Sequence, residues 1–328
     1  TINSIQHLHL VVIKRVASEE KGEFTDWKHT LNLIEMARLE VLKTYKIYIG
    51  GAFPRTESGR YYTPVNGKGE KLGNICLSSR KDVRNAVVVA RKAFGGWSER
   101  AAFNRGQILY RIGEMLEGRK AQFVEELQLQ GASKANAEKE VALAIDRLIY
   151  YSGWCDKYTQ VTSAVNPVAS SHFNFSVHEP VGVVGVFADQ KTSLIGLVSL
   201  IAPIIASGNT CVVVASENLP LCAITFAEVL NSSDVPGGVV NLLTGQAGEL
   251  MKPMATHMDV NAVVVSNFDT KELENLKLLS VDNLKRIRSY EYDWNNQTAQ
   301  GLHFISDLTE IKTTWHPIEN IGGATSSY

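Results

Sequence analysis

The sequence predicts an α/β fold in which helices cover both faces of a parallel sheet. From residue 181 onward, four short apolar segments alternate with segments of helical character: VGVVGVFA, TCVVVAS, VVNLLT and AVVVS. Strands of a doubly covered parallel sheet are typically continuous apolar runs, and regular alternation of strands with helices is typical of this class. A second observation concerns residues 162–179, where Phe173, Phe175 and Val177 alternate with other residues and predict a hairpin-like β excursion.

Composition and charge exclude several classes of protein. The 328 residues are 45% hydrophobic and 20% charged, which is typical of a globular protein. The formal net charge of −1 gives no electrostatic reason to bind nucleic acid or an anionic membrane, so we expect neither as a partner. The longest apolar segment, residues 194–206, is interrupted by Gly196, Ser199 and Pro203 and is too short to span a bilayer.

The cysteines and histidines predict neither disulfides nor a metal site. The four cysteines have no CxxC spacing and are too few for a disulfide framework. Because the N-terminus also lacks a signal-peptide pattern, we expect a reducing, cytoplasmic compartment. The eight histidines are scattered, and His7 and His9 alone are a thin ligand set, so no metal is expected.

Local patterns place the first elements of the N-terminal half. Residues 1–45 are interpreted as an N-terminal extension in which Thr25 or Asp26 caps a helix over 27–43. Residues 46–67 alternate and contain Gly, Pro and Ser, which predicts two short strands joined by a turn.

Further helices follow on both sides of the β excursion. Ser79 and Asp82 form a capping-box pattern at the start of a helix that reaches about residue 94. The other predicted helices cover residues 104–119, 137–158, 193–206, 221–230 and 249–256. Residues 267–306 show no clear periodicity, so the sequence assigns them no element.

Several sequence blocks, in order, resemble the cofactor domain of the NAD(P)-dependent aldehyde dehydrogenases. These are IYIGGAF, SRKDVRNAVVVARKAFGGWS, RGQILYRIGEMLE, YYSGWCDK, HEPVGVVG, IAPIIASGNTCVVV, SENLP and DVPGGVVNLLTG. A later block, DLTEIKTTWHPI, resembles the closing strand of that family, which crosses into a neighbouring subunit. The resemblance implies a Rossmann-like domain made of residues 46–162 and 181–306. It also implies bridging, or oligomerisation, strands within residues 163–180 and 307–328.

The resemblance does not extend to the family's catalytic residues. The family's nucleophilic cysteine lies well downstream of the cofactor domain, whereas this sequence has no cysteine after Cys222. Lys191 stands where the family has its oxyanion-stabilising asparagine, and Tyr290 or Glu291 aligns with its general base. Only 62 residues follow Ser266, so the sequence resembles a degenerate copy that lacks the catalytic domain. We therefore expect no catalytic residue.

The resemblance leaves three residual candidates for cofactor binding. They are Glu217, Gly245 and Ser266, which match a ribose-contacting glutamate, a phosphate-loop glycine and the end of the next strand. Other positions of the pocket have changed: Val214 replaces a lysine, Ala247 and Met251 replace glycines, and Phe268 replaces a phosphate-facing hydroxyl. We expect no bound cofactor, and NAD or NADP if any is bound.

Three functions are compatible with these residues. The first is a non-catalytic, aldehyde dehydrogenase-like protein that acts in assembly, either as a homo-oligomer or as the partner of an active aldehyde dehydrogenase subunit. The second is an NAD(P)-dependent aldehyde dehydrogenase of which this chain is an incomplete piece. The third is a nucleotide-binding module that kept the fold without the chemistry.

Overall fold

A computed structural model describes residues 41–318 of the chain. The helix predicted over 27–43 lies almost entirely outside these residues. The strands are β1 Thr44–Tyr45, β2 Tyr61–Tyr62, β3 Asn74–Cys76, β4 Ala164–Asn166, β5 His172–Pro180, β6 Val183–Phe187, β7 Thr210–Val214, β8 Val240–Leu243, β9 Ala262–Ser266, β10 Arg286–Tyr290 and β11 Thr309–Pro317. The helices are α1 Arg80–Ser98, α2 Ala102–Gly118, α3 Lys120–Leu129, α4 Lys134–Ser152, α5 Tyr158–Thr162, α6 Ile195–Ala206, α7 Leu221–Asn231, α8 Ala247–Ala255, α9 Thr270–Leu279 and α10 His303–Ser306.

The central sheet is parallel and has the strand order β10–β9–β6–β7–β8. Its side chains alternate between two apolar cores. Val184 and Val186 face the core that includes residues of α2, α3, α4, α6 and α7, whereas Val183 and Phe187 face the core that includes residues of α1, α8 and α9. The predicted α/β class, with a Rossmann-like parallel sheet covered on both faces, is therefore confirmed.

The sequence pattern does not reveal one strand of this sheet. β10 and α9 lie within residues 267–306, for which the sequence predicts no element. β10 is the edge strand next to β9, and four of its five side chains are only half-buried. An edge strand of this kind can carry the polar sequence RIRSY, which lacks the apolar run expected of an inner strand.

The helix that begins after Ser79 has the predicted capping box. The backbone N–H of Ser79 donates to Oδ2 of Asp82 at 2.7 Å, and the helix continues to Ser98. The helix predicted over 104–119 is confirmed as α2, and the structure adds α3, which was not predicted, before the next predicted helix. The one predicted over 137–158 ends earlier, at Ser152, with Gly153 as its C-cap.

The hairpin predicted over residues 46–67 is wrong. β2 pairs with β3 in antiparallel fashion and β1 pairs with β3 in parallel fashion, so the partner of both strands lies further along the chain. Tyr48 instead exchanges two backbone hydrogen bonds with Leu242 on the edge of β8, at 2.9 and 2.8 Å. The segment is extended because it covers a sheet edge, which a local alternation pattern does not reveal.

The β excursion forms a small antiparallel sheet with the strand order β11–β5–β4. β11 pairs with β5 along nine residues, from Thr309 opposite Pro180 to Pro317 opposite His172. Within residues 41–318, no strand pairs with the outer edge of β11 or of β4. The prediction of extended structure over residues 162–179 is confirmed. No helix in the described part of the chain is long and apolar enough to cross a membrane.

Candidate functional site

The candidate site lies at the carboxyl ends of the parallel strands, between β6 and β9. β7 and β8 lie on one side of β6, whereas β9 and β10 lie on the other. The connections that leave the sheet therefore diverge at this point, and ligands of open α/β sheets bind in the crevice that results. Residues 188–194 follow β6, and residues 267–269 follow β9.

Polar side chains from the two loops bind each other across this crevice. Nδ2 of Asn267 donates to Oδ1 of Asp189 at 2.8 Å, and Oγ1 of Thr192 donates to Oδ2 of the same carboxylate at 2.9 Å. Asp189 is buried. Asn267 has a φ of 54°, in the left-handed region that asparagine adopts more readily than most residues. The chain thus satisfies both oxygens of this carboxylate itself.

The indole of Trp294 closes the crevice from the side of β10. Only 1% of Trp294 is exposed, and its Nε1 donates to Oγ of Ser266 at 2.8 Å. The packing is tight at Gly196 in α6, where a Cβ atom would clash with Oγ1 of Thr192 and lie 3.2 Å from Cδ1 of Trp294. Gly196 is therefore required by the close packing of Thr192 and Trp294 around it.

Ser266, one of the three predicted cofactor residues, lies at the wall of the closed crevice. Its side chain is buried, and its hydroxyl accepts the hydrogen bond from Trp294. Two positions further on, the ring of Phe268 packs against Phe187 with 5.7 Å between centroids. The Ser266 hydroxyl therefore accepts from a buried indole and lies next to an aromatic pair, which are apolar surroundings for a phosphate.

Gly245, the second predicted cofactor residue, is required by the packing of its backbone. Its φ is 146°, and a Cβ atom there would lie 3.1 Å from the backbone nitrogen of Ser78. The N–H of Ser78 in turn donates to the carbonyl of Thr244 at 2.9 Å. In the first turn of the following helix, α8, the carboxylate of Glu249 lies 2.6 Å from a guanidinium nitrogen of Arg60. A protein carboxylate thus lies in the helix turn that would face a pyrophosphate.

Glu217, the third predicted residue, lies on the loop after β7. Its N–H donates to Oε1 of Gln190 at 2.9 Å, and its carbonyl accepts from the hydroxyl of Tyr62 at 3.2 Å. Its half-buried side chain makes no hydrogen bond or ion pair to residues 41–318. Val214, which stands where the family has a lysine, is buried. Glu217 and Gly245 thus lie after β7 and β8, whereas Ser266 is the last residue of β9, and the described contacts of Gly245 and Ser266 are structural.

Comparison with known proteins decides the family. The model of the aldehyde dehydrogenase family matches residues 54–266. The chain belongs to the aldehyde dehydrogenase family.

Relatives of known sequence or structure share the fold over most of this chain. A putative aldehyde dehydrogenase, DhaS, from Bacillus subtilis is 29% identical over 249 residues, which are 74% of this chain and 50% of the relative. The cytosolic 10-formyltetrahydrofolate dehydrogenase of Mus musculus is 29% identical over 84% of this chain and 31% of its own length. An aldehyde dehydrogenase from Bacillus cereus, solved as an NAD+ complex, matches with a TM-score of 0.72 at 23% identity, covering 82% of this chain and 53% of the other. The chain thus spans half or less of the length of these two curated relatives.

The positions that the sequence resemblance matches to the family's catalytic residues are engaged elsewhere or exposed. Lys191 is exposed on the loop after β6. The hydroxyl of Tyr290 donates to Oδ2 of Asp307 at 3.0 Å, which ties β10 to the start of β11, and Glu291 is exposed. The described residues contain no group of three or more His, Cys, Asp or Glu side chains that could hold a metal ion.

The segment that carries Trp294 is held by an arginine that no sequence motif singles out. Arg147, on α4, is 1% exposed. Its guanidinium donates to the carbonyl of Ala299, to the carbonyl of Asn296 at 3.1 Å and to Oγ of Ser199 at 2.8 Å. The sequence does indicate that this segment is packed, because residues 290–304 are rich in aromatic residues: Tyr290, Tyr292, Trp294 and Phe304.

The four cysteines should be unreactive in the native protein. All four thiols are buried, and burial raises the pKa of Cys155 to about 12 and the pKa of Cys222 well above its usual value. A raised pKa keeps the thiol protonated at pH 7.5, and the thiolate is the form that reacts. We expect iodoacetamide at pH 7.5 to modify almost no cysteine in the folded chain and all four in 8 M urea, measured by intact mass. Rapid modification of Cys222 in the folded chain would contradict this.

Proposed function

We propose that this chain is a non-catalytic member of the aldehyde dehydrogenase family that acts in assembly, as a homo-oligomer or as the partner of an active aldehyde dehydrogenase subunit. The observation that carries the proposal is the closed crevice. Trp294 donates to Ser266 at the strand end where a dinucleotide would enter, and Phe268 packs against Phe187 beside it. A family fold whose ligand crevice is filled by its own side chains is suited to a structural role.

The small sheet of β4, β5 and β11 is the surface proposed for assembly. Its exposed apolar side chains are Phe173 at 46%, Trp315 at 57%, Ile311 at 66% and Val165 at 68%. Both outer strands have edges that are unpaired among the described residues. Exposed edges with apolar side chains are usually covered by a partner, and the proposed two-fold contact would bury the same patch on both subunits.

Assembly through this sheet predicts a specific loss of oligomers. The double variant Ile311→Lys and Trp315→Lys places two charges on β11, and we expect its dimer dissociation constant to rise at least about tenfold because two unpaired charges would be buried. Light scattering with sedimentation at micromolar concentration measures this. The variant Val161→Lys, at an exposed site on α5, is the matched control.

Two outcomes of that experiment contradict the proposal. One is an intact chain that is a stable monomer and binds no aldehyde dehydrogenase subunit. The other is a charged β11 variant with the oligomeric state of the parent.

The proposal also predicts weak binding of nucleotide. We expect isothermal titration of NAD+ and NADP+ to give dissociation constants no tighter than about 1 mM, because Phe268 and Trp294 fill the crevice. The second candidate function is an NAD(P)-dependent dehydrogenase activity that belongs to a longer protein, and the longer dehydrogenases among the relatives favour it. Micromolar NAD+ binding by this chain would favour that candidate, or a nucleotide-binding module.

A further inference from the structure

The outer edge of β11 is the longer of the two free edges of the small sheet. β11 has nine residues, Thr309–Pro317, whereas β4, at the other edge, has three. Every residue from Glu310 to Pro317 is exposed. Within the described part of the chain, no strand pairs with this edge. A long edge with free backbone groups is a template for a further strand.

The hydrogen bonds to β5 show which backbone groups of β11 face outward. The N–H of Ile318 donates to the carbonyl of Ser171 at 3.0 Å. At the other end, the N–H of Val181 donates to the carbonyl of Leu308 at 3.3 Å. Hydrogen-bonded pairs alternate with non-hydrogen-bonded pairs along an antiparallel ladder, so the even-numbered residues of β11 bond to β5. The odd-numbered residues from 309 to 317 therefore direct their backbone groups to the free edge.

The sequence of β11 is complementary to itself about Thr313. When two copies of β11 lie antiparallel with Thr313 on a two-fold axis, all nine residues of each strand overlap. Ile311 then lies opposite Trp315 of the second copy, so two apolar side chains meet on one face. On the other face Glu310 lies opposite His316 of the second copy. These two form a non-hydrogen-bonded pair, in which the side chains come closest.

Other two-fold registers are less favourable. An axis at Lys312 places two ammonium groups directly opposite each other, which is destabilising. An axis at Thr314 places Lys312 opposite His316, and Glu310 then loses its basic partner. Axes further along the strand leave five paired residues at most, 309–313 or 313–317. The axis at Thr313 alone combines full overlap with no opposed like charges.

Within one chain, Glu310 already faces a like charge. It lies opposite Glu179 of β5, and its Oε2 lies 3.8 Å from Nζ of Lys312. Like charges directly opposite each other in a sheet are destabilising. His316 of a second copy would bring an N–H donor to the free side of this carboxylate. Pairing of two copies therefore relieves a repulsion that the single chain contains.

Resting on the proposed assembly function, we propose that the partner of this edge is β11 of a second copy of the chain, paired antiparallel about Thr313. The two small sheets then form one continuous sheet with the strand order β4–β5–β11–β11–β5–β4. Neither copy keeps a free β11 edge. The backbone supplies the hydrogen bonds, and the contacts of Ile311 with Trp315 and of Glu310 with His316 select the register.

Disulfide formation between introduced cysteines tests this register. The two Cα atoms of residue 313 should lie about 5.5 Å apart, within the range of about 4.4–6.8 Å that a disulfide spans. Those of residue 311 should lie roughly 14 Å apart. Under mild oxidation we expect the full chain with Thr313→Cys to form a linked dimer at least about tenfold faster than chains with Ile311→Cys or Trp315→Cys alone. Non-reducing electrophoresis measures the rates, and the four native thiols are buried.

A mixture of two variants provides the matched control. Ile311→Cys and Trp315→Cys, mixed in equal amounts, should link to each other about as fast as Thr313→Cys links to itself. Linking of Thr313→Cys that is no faster than that of Ile311→Cys would overturn the proposed pairing. If the parent chain is still a dimer by light scattering, or binds an aldehyde dehydrogenase subunit, the assembly function stands and only the pairing of β11 is wrong. A monomer that binds no such subunit contradicts both.

Discussion

Replacing Arg147 by alanine should lower the free energy of unfolding by about 3–5 kcal/mol, the range for truncation of a large buried side chain. Arg147 is 1% exposed and donates to the carbonyls of Asn296 and Ala299 and to the hydroxyl of Ser199. Its removal leaves a cavity and buried acceptors without a donor, and both effects are destabilising. Urea unfolding monitored by circular dichroism measures the change.

A second arginine provides the control. Arg111, on α2, has a half-exposed side chain and pairs with Glu114 at 3.2 Å on the same helix. Arg111→Ala should change the free energy of unfolding by no more than about 0.5 kcal/mol, as is usual for exposed ion pairs. Arg147→Ala should also make the chain around residues 293–300 sensitive to protease in the native state. An Arg147→Ala variant that is as stable as the parent would show that Arg147 does not hold this segment.

Replacing Trp294 by alanine should cost about 3–5 kcal/mol as well, because the change leaves a large cavity in the crevice. The variant loses the hydrogen bond to Oγ of Ser266, which is then buried without its donor. Trp294→Phe keeps most of the apolar volume and should cost clearly less. Phe103→Ala, at a site that is 66% exposed on α2, controls for the general effect of removing an aromatic ring.

The Trp294 variant also tests which side chains would exclude a nucleotide from the crevice. If the indole is the main obstacle, Trp294→Ala binds NAD+ measurably tighter than the parent. If Asp189, Asn267 and Phe268 are enough to exclude the nucleotide, the variant and the parent have the same affinity for NAD+. Because those three side chains bridge or fill the crevice independently of the indole, we expect no gain. Unchanged stability in Trp294→Ala would contradict the tight packing of the indole.

The fold was predictable wherever burial forces a simple pattern on the sequence. The inner strands β6, β7, β8 and β9 are buried on both faces, so each is a short apolar run that sequence reading finds. β10 was not predicted because an edge strand does not need a continuous apolar run. The extended segment around Tyr48 was misassigned because its partner, Leu242, is remote in sequence and no local pattern reveals it.

The candidate site was predictable only in part. Substitutions such as Phe268 in place of a hydroxyl-bearing residue are visible in the sequence. They predicted a crevice that has lost hydrogen-bond donors. The sequence does not reveal that Trp294 closes the crevice, because this depends on the path by which residues 291–302 return to the sheet. That path is fixed by Arg147 on α4, which also donates to Ser199 on α6, and tertiary contacts of this kind leave no periodicity.

The contact between the segment around Tyr48 and the edge of β8 has a consequence for biosynthesis. The N–H of Gly50 donates to Oδ1 of Asn241 at 3.0 Å, and the two residues are 191 positions apart. At typical elongation rates, roughly 10–40 s pass between synthesis of the two residues. During that interval Ile47 and Tyr48, which are fully buried in the native fold, have no sheet edge to cover. Nascent chains that end before β8 therefore expose these side chains. A holding chaperone would bind the chain at the segment around Ile47 and Tyr48.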